Sequence, residues 1–165
     1  MSEDGVEGAG PREARVYKIP ESVLVVIHSA DLQVLLLERA DHPGFWQSVT
    51  GSRASPDEPL ALTAAREVAE ETGVVVGRAR VPADSLRDWQ QQIEFEIFAR
   101  WRHRYAPGVV RNVEHRFSLC VPRDIEVVLS PREHLRHRWL PWQSAADACT
   151  SPSNADAIRR LPHLC

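Results

Sequence analysis

At 165 residues the chain is long enough for one domain with a sizeable core, and its 43% apolar and 26% charged residues are ordinary for a globular protein. A net charge of −3 excludes a broad basic field for nucleic acid, and no apolar run is long enough to span a membrane. Three scattered cysteines, Cys120, Cys149 and Cys165, with no CxxC pair, exclude a disulfide framework and a zinc site and fit a reducing compartment. The chain therefore reads as cytoplasmic, a monomer or small homo-oligomer. Residues 15–165 form a single domain behind a disordered tail, residues 1–14, whose glycines and acidic side chains lack the apolar core of a signal peptide.

In chain order, the β-rich runs Ser22 to Ser29 and Gln33 to Arg39 flank the turn-like Ala30-Asp31-Leu32, which predicts a hairpin. Asp41 to Gln47 holds Pro43 and Gly44 and reads as a loop, closed by Phe45 and Trp46. A helix is predicted from about Pro59, capped by Asp57 or Glu58, and stopped at Gly73 by a C′ glycine. At about 100° per residue, Glu67, Glu70 and Glu71 share one face of it, while Ala61, Ala64, Ala65, Val68 and Thr72 form a packing stripe. A short strand follows near Val74 to Ala79. Gln92 to Arg100 then alternates, with Ile93, Phe95 and Ile97 on one side and Glu94, Glu96 and Phe98 on the other. Pro107 and Gly108 break that pattern before a long strand from about Val110 to Val121. Leu135 to Leu140 leads into a last strand, and the sequence after Ser153 reads as a C-terminal helix. Strands on both sides of one central helix predict an α/β fold, an α/β/α sandwich on a central mixed sheet.

The acidic helix face carries the chemistry. Three carboxylates at spacings of three and four repel one another, a cost that hard divalent cations would offset, since Mg²⁺ takes carboxylates together with substrate phosphates. Gly51, Glu58, Arg66-Glu67, Glu70-Glu71 and Gly73-Val74 follow one another in the order of a Nudix box, and from Glu58 to Val74 the match is complete. Six residues instead of five separate Gly51 from Glu58, which reads as a one-residue insertion in the loop. The chain thus resembles the Nudix hydrolases, a resemblance that implies hydrolysis of a diphosphate linked to another moiety, with Mg²⁺ as cofactor and Mn²⁺ as a substitute. It implies catalytic roles for Glu67, Glu70, Glu71 and Glu133, with Glu67, Glu71 and Glu133 as metal ligands. Glu133 also competes with Glu67 for the role of general base. Gly51, Glu58, Arg66 and Gly73 are structural supports, Arg66 bracing its neighbouring carboxylates.

Outside the box, VYKIPESVLVVI, GFWQSVTG, IEFEIF, WRHRYAPGVVRN and EHLRHRWL resemble the bacterial dihydroneopterin triphosphate diphosphatases of folate biosynthesis. That resemblance implies substrate contacts at Lys18, Arg39, Thr50, Phe95, Glu96, Ile97, Phe98 and Ser151, with Glu94 or Glu96 accepting from pterin N–H donors. Core packing is the competing reading for Phe95. The basic run Arg100, Arg102, His103, Arg104 and Arg111, interleaved with Trp101 and Tyr105, reads as a solvated face, a triphosphate site, a dimer contact or a local RNA site. Two rival functions stand beside the pterin reading. A house-cleaning nucleoside triphosphate pyrophosphohydrolase would use the same chemistry. A non-catalytic nucleotide- or RNA-binding module would carry degraded carboxylates, whereas all three are present.

Overall fold

The computed structural model describes residues 16–164, so the tail over residues 1–14 lies outside the described residues. Seven strands form one mixed sheet: β1 (Glu21–His28), β2 (Gln33–Arg39), β3 (Trp46–Gln47), β4 (Val49–Ser52), β5 (Leu86–Glu96), β6 (Arg111–Cys120) and β7 (His134–Pro141). Three helices cover it: α1 (Leu60–Thr72), α2 (Trp142–Ala148) and α3 (Pro152–Leu164).

β1 is a nearly unbroken apolar run because both of its faces are covered. Val23, Val25 and Ile27 point towards α1, where they meet Ala64, Val68, Phe117 and Leu119. Leu24 and Val26 point the other way, onto Ala145, Ala146, Ala157, Ile158 and Leu161 of α2 and α3. Each such side chain contributes about 1.5–3 kcal/mol of burial. The result is the expected sandwich, with α1 on one face of the sheet and α2 with α3 on the other.

β1 runs parallel to β6 and antiparallel to β4, in a register that sets Val23 opposite Gly51 and Leu24 opposite Thr50. The predicted hairpin is only a corner: β1 and β2 pair at His28↔Val34, after which β2 leaves to pair with β7 and β3. Each strand finds a longer partner elsewhere, and Leu32, at φ 60°, turns the chain between them.

Other expectations need correction. No side chain caps α1; Pro59 holds that position, and Thr63 Oγ1 donates to Glu58 Oε1 at 2.6 Å. Ala61 is exposed and Glu71 is buried, so the packing stripe is rotated towards Thr63, Ala64, Val68, Glu71 and Thr72. Val74 to Ala79 forms no strand, only an isolated bridge from Arg78 to Val81. The 41–47 loop gives its last two residues to β3, and β5 starts at Leu86, ahead of the alternating stretch. A register shift between Asp88 and Gln92, with Gln90 at φ 54°, hides that first half from a period-two reading. α2 went unpredicted. Gly73 ends α1 as expected, at φ 73°, its N–H donating to the Ala69 carbonyl.

Candidate active site

Arg66 organises the acidic side. Its Nη2 and Nε donate to the two oxygens of Glu58 at 2.8 and 3.1 Å, and Nη2 also reaches the Ser52 carbonyl at 3.0 Å. Nη1 donates to Glu67 Oε1 at 2.9 Å and lies 3.4 Å from Glu70 Oε1. One guanidinium thus ties the loop, the helix start and two box carboxylates together. Glu58 accepts the Ala54 N–H at 3.0 Å, and the Arg66 fork holds its carboxyl down to about 2. The loop with the extra residue is pinned by Arg53, which donates to the Glu58 carbonyl and to Glu21 Oε2. Gly51 lies directly beneath Glu67: a Cβ there would stand 2.0 Å from Glu67 Cδ.

Glu67, Glu70, Glu71 and Glu133 line one cleft. Burial, then the nearby Glu70, pushes Glu67 up to about 7. Glu71 is only 4% exposed; burial first, then Glu67 and Glu133, raises its carboxyl well above the usual range. Its Oε2 is buried with no hydrogen-bond partner. His134 Nε2 stands 3.6 Å from Glu71 Oε1, but burial holds that imidazole down to about 4, so it is neutral and cannot balance the charge. Among the described residues no three acidic, histidine or cysteine side chains are already drawn round a common point, Glu67 being held by Arg66. An oxygen-rich cleft with an orphaned buried carboxylate oxygen is nevertheless the donor set a hard divalent cation fits.

Lys18, Arg39, Gln47, Thr50 and Arg104 line both this cleft and a second, more apolar pocket beside it. Arg39 forks onto Asp41 with two 2.7 Å bonds, and Arg104 Nη2 reaches the same carboxylate at 2.9 Å. Between two guanidiniums the Asp41 carboxyl falls well below the usual range. Arg39 also stacks on Trp101, its Cζ 4.2 Å from the ring centroid. Trp101, Phe45 and Phe98 pack edge to face at 5.4–6.1 Å between centroids and form one wall of the pocket. Burial and the neighbouring Arg104 and Arg39 lower the Lys18 ammonium.

Of the expected substrate residues, Lys18, Arg39, Thr50, Phe95, Ile97, Phe98 and Ser151 all line this pocket. Glu96 does not. Strand alternation turns it to the opposite face from Phe95, where it is exposed and paired with Arg102; Glu94 is exposed and bonded to Arg111 at 2.7 Å. The basic run is likewise divided. Arg100 contacts His42, Arg102 and Arg111 take Glu96 and Glu94, and among these arginines Arg104 alone lines the pocket, so no continuous RNA-binding stripe forms.

Several lining residues were not among the expected site residues: Asp41 in the acidic cleft, Phe45, Glu114 and Asn154 in the apolar pocket, and Gln47 in both. Glu114 is the instructive one. It lies on the β6 face that carries Asn112, Arg116 and Ser118, a polar parity that reads as solvent-facing until α3 is seen to cover it. Burial pushes its carboxyl up to about 7.

With this geometry in view, the NUDIX domain family matches residues 18–161 of the chain. The chain is 46% identical over 148 residues to the dihydroneopterin triphosphate diphosphatase of Escherichia coli K12, covering 89% of this chain and 95% of that one. It is 41% identical over 145 residues to the Haemophilus influenzae protein of the same name, covering 87% and 88%. The solved E. coli dihydroneopterin triphosphate pyrophosphohydrolase superposes with a TM-score of 0.79, covering 88% of this chain and 96% of that one.

Proposed function

Because the chain belongs to the NUDIX family, whose hydrolases generally use divalent metal ions, we propose that it hydrolyses dihydroneopterin triphosphate to dihydroneopterin monophosphate and pyrophosphate with Mg²⁺ as its metal. The observation that carries this reading is the division of the site. A pocket walled by aromatic rings is joined to an acidic cleft by Lys18, Arg39 and Thr50.

Glu67, Glu71 and Glu133 would hold Mg²⁺, which when bound neutralises phosphate oxygens and acidifies water. The chain's own side chains do the rest. Lys18 and Arg39 bind the phosphate chain, Arg39 kept rigid by Asp41 and Trp101. Arg66 fixes the direction of Glu67, and Gly51 leaves the space that Glu67 occupies. Glu67 and Glu133 are the rival bases for the attacking water. Water adds to phosphorus, the bridging P–O bond breaks, and pyrophosphate leaves. Ser151 and the Phe95–Phe98 stretch line the ring pocket, with Glu96 outside it.

Turnover of dihydroneopterin triphosphate should exceed that of every dNTP in kcat/KM, measured by pyrophosphate release with Mg²⁺ present. Equal or better dNTP turnover would instead make the protein a general house-cleaning pyrophosphohydrolase.

A further inference from the structure

We propose that Glu114, with Asn154 beside it, is the specificity-determining element of the aromatic pocket and reads a 2-amino-4-oxo pyrimidine edge. The carboxylate would accept the ring N–H and the exocyclic amino N–H, and the Asn154 amide would donate to the ring carbonyl. The inference rests on the pterin-triphosphate reading of this site and deepens it.

Glu114 lines the pocket yet is only 4% exposed, and its Oε1 has no hydrogen-bond partner. Asn154 lines the same pocket. Its Oδ1 accepts the Ser48 N–H at 3.2 Å, while its Nδ2 is buried and unpartnered. Buried polar groups are nearly always bonded, so an unused acceptor and an unused donor lining one pocket call for a ligand offering the converse. The nearest cation does not use the acceptor. Arg116 Nε is 3.9 Å from Glu114 Oε1, beyond hydrogen-bond reach, and its other nitrogens donate to Asp156 Oδ2 at 2.8 Å and the Ser153 carbonyl at 3.0 Å.

Position selects the ligand. β6 sets Glu114 opposite Ile93 and Asn112 opposite Phe95, so Glu114 shares a sheet face with Phe95, which lines the same pocket. Lys18, Arg39 and Thr50 lie between it and the acidic cleft, so a ring anchored at Glu114 has its phosphates directed at Glu67 and Glu71. A carboxylate with two oxygens matches two adjacent N–H donors. Pterin and guanine carry that edge, hypoxanthine lacks the amino group, and adenine presents an acceptor where the ring N–H should be. A site built for those donors discriminates strongly against analogues without them.

The test compares wild type with Glu114→Gln on dihydroneopterin triphosphate, dGTP, dITP and dATP. Wild type should favour dGTP over dITP in kcat/KM by about 10-fold or more, and the substitution should cost pterin triphosphate and dGTP roughly 100-fold, mostly in KM. Turnover of dATP should stay within about threefold. A wild-type dGTP to dITP ratio near one overturns the proposal, as does an equal loss on all four substrates. Quenching of dihydroneopterin fluorescence without metal adds a readout that needs no turnover: the ring should bind wild type and not the variant, and equal binding is again fatal. If pterin triphosphate is not hydrolysed by wild type while dGTP still outpaces dITP, the proposed function fails and the assignment of Glu114 stands.

Discussion

Glu71 and Glu114 are both carboxylates in places that disfavour charge, and each predicts a measurable consequence. Glu71→Gln should lower kcat on the order of 100-fold or more, because it removes a proposed metal ligand. In the absence of metal its melting temperature should equal or exceed that of wild type, since a buried, crowded charge is gone. Near-normal Mg²⁺-dependent turnover in this variant would remove Glu71 from the ligand set. Glu114 predicts a pH dependence. Its ordinary carboxyl value of 4.5 becomes about 7 in the folded protein, so between those values the folded state binds more protons than the unfolded chain. The group's stabilising contribution is therefore complete below about 4.5 and is lost as pH rises through about 7. Glu114→Gln, neutral throughout, should match metal-free wild type near pH 4 and surpass it at pH 8, by up to about 3 kcal/mol. Thermal melts across that range check the sign, and a variant less stable than wild type at pH 8 would contradict it.

α1 and the loop before it show how an element turns local sequence into a site. Gly51→Ala would put a Cβ 2.0 Å from Glu67 Cδ, and the side chain that must yield is a proposed ligand. Activity should fall by at least about 10-fold while the melting temperature changes little, because the far end of Glu67 can swing aside. Gly73→Ala has the opposite signature. At φ 73°, with Val128 Cβ 3.3 Å from the added carbon, it should cost about 1–2 kcal/mol of stability and leave kcat per folded molecule unchanged. These positions were legible because their partners lie within a few turns: Gly51, Glu58, Arg66, Glu67 and Gly73 belong to one contiguous stretch. Glu114 was not, because its burial depends on α3, some forty residues further on. That Glu96 lies outside the pocket was hidden for a related reason, since alternation shows which residues share a face but not which face borders the pocket. β5 was half-read because its irregularity between Asp88 and Gln92 erases the period.

In the whole molecule the strand runs, the central helix and the sandwich followed from burial on both faces of β1, whereas the order of strands in the sheet did not. The hairpin forms but stays short, because the rest of the pairing is decided by long-range partners, β6 for β1 and β7 for β2, which local sequence does not encode. The linkage between metal and fold also belongs to this scale. Mg²⁺ should raise the melting temperature of wild type, because a ligand that binds only the folded state stabilises it by mass action. Chelation should abolish turnover and Mg²⁺ should restore it; a chelated enzyme that kept its activity would refute the metal assignment. The thermal rise should vanish in Glu71→Gln.

The β1–β4 register has a further consequence. Gly51 and Thr50 are adjacent, yet the first underlies Glu67 on the α1 side and the second borders the ring pocket on the α3 side. In the proposed reading the acidic cleft and the ring pocket thus take neighbouring positions of one strand and meet along Lys18, Arg39 and Thr50. A newly shaped ring pocket could be grafted beneath α3 only if that shared border were kept, and sliding β4 by a single position would ruin both pockets at once.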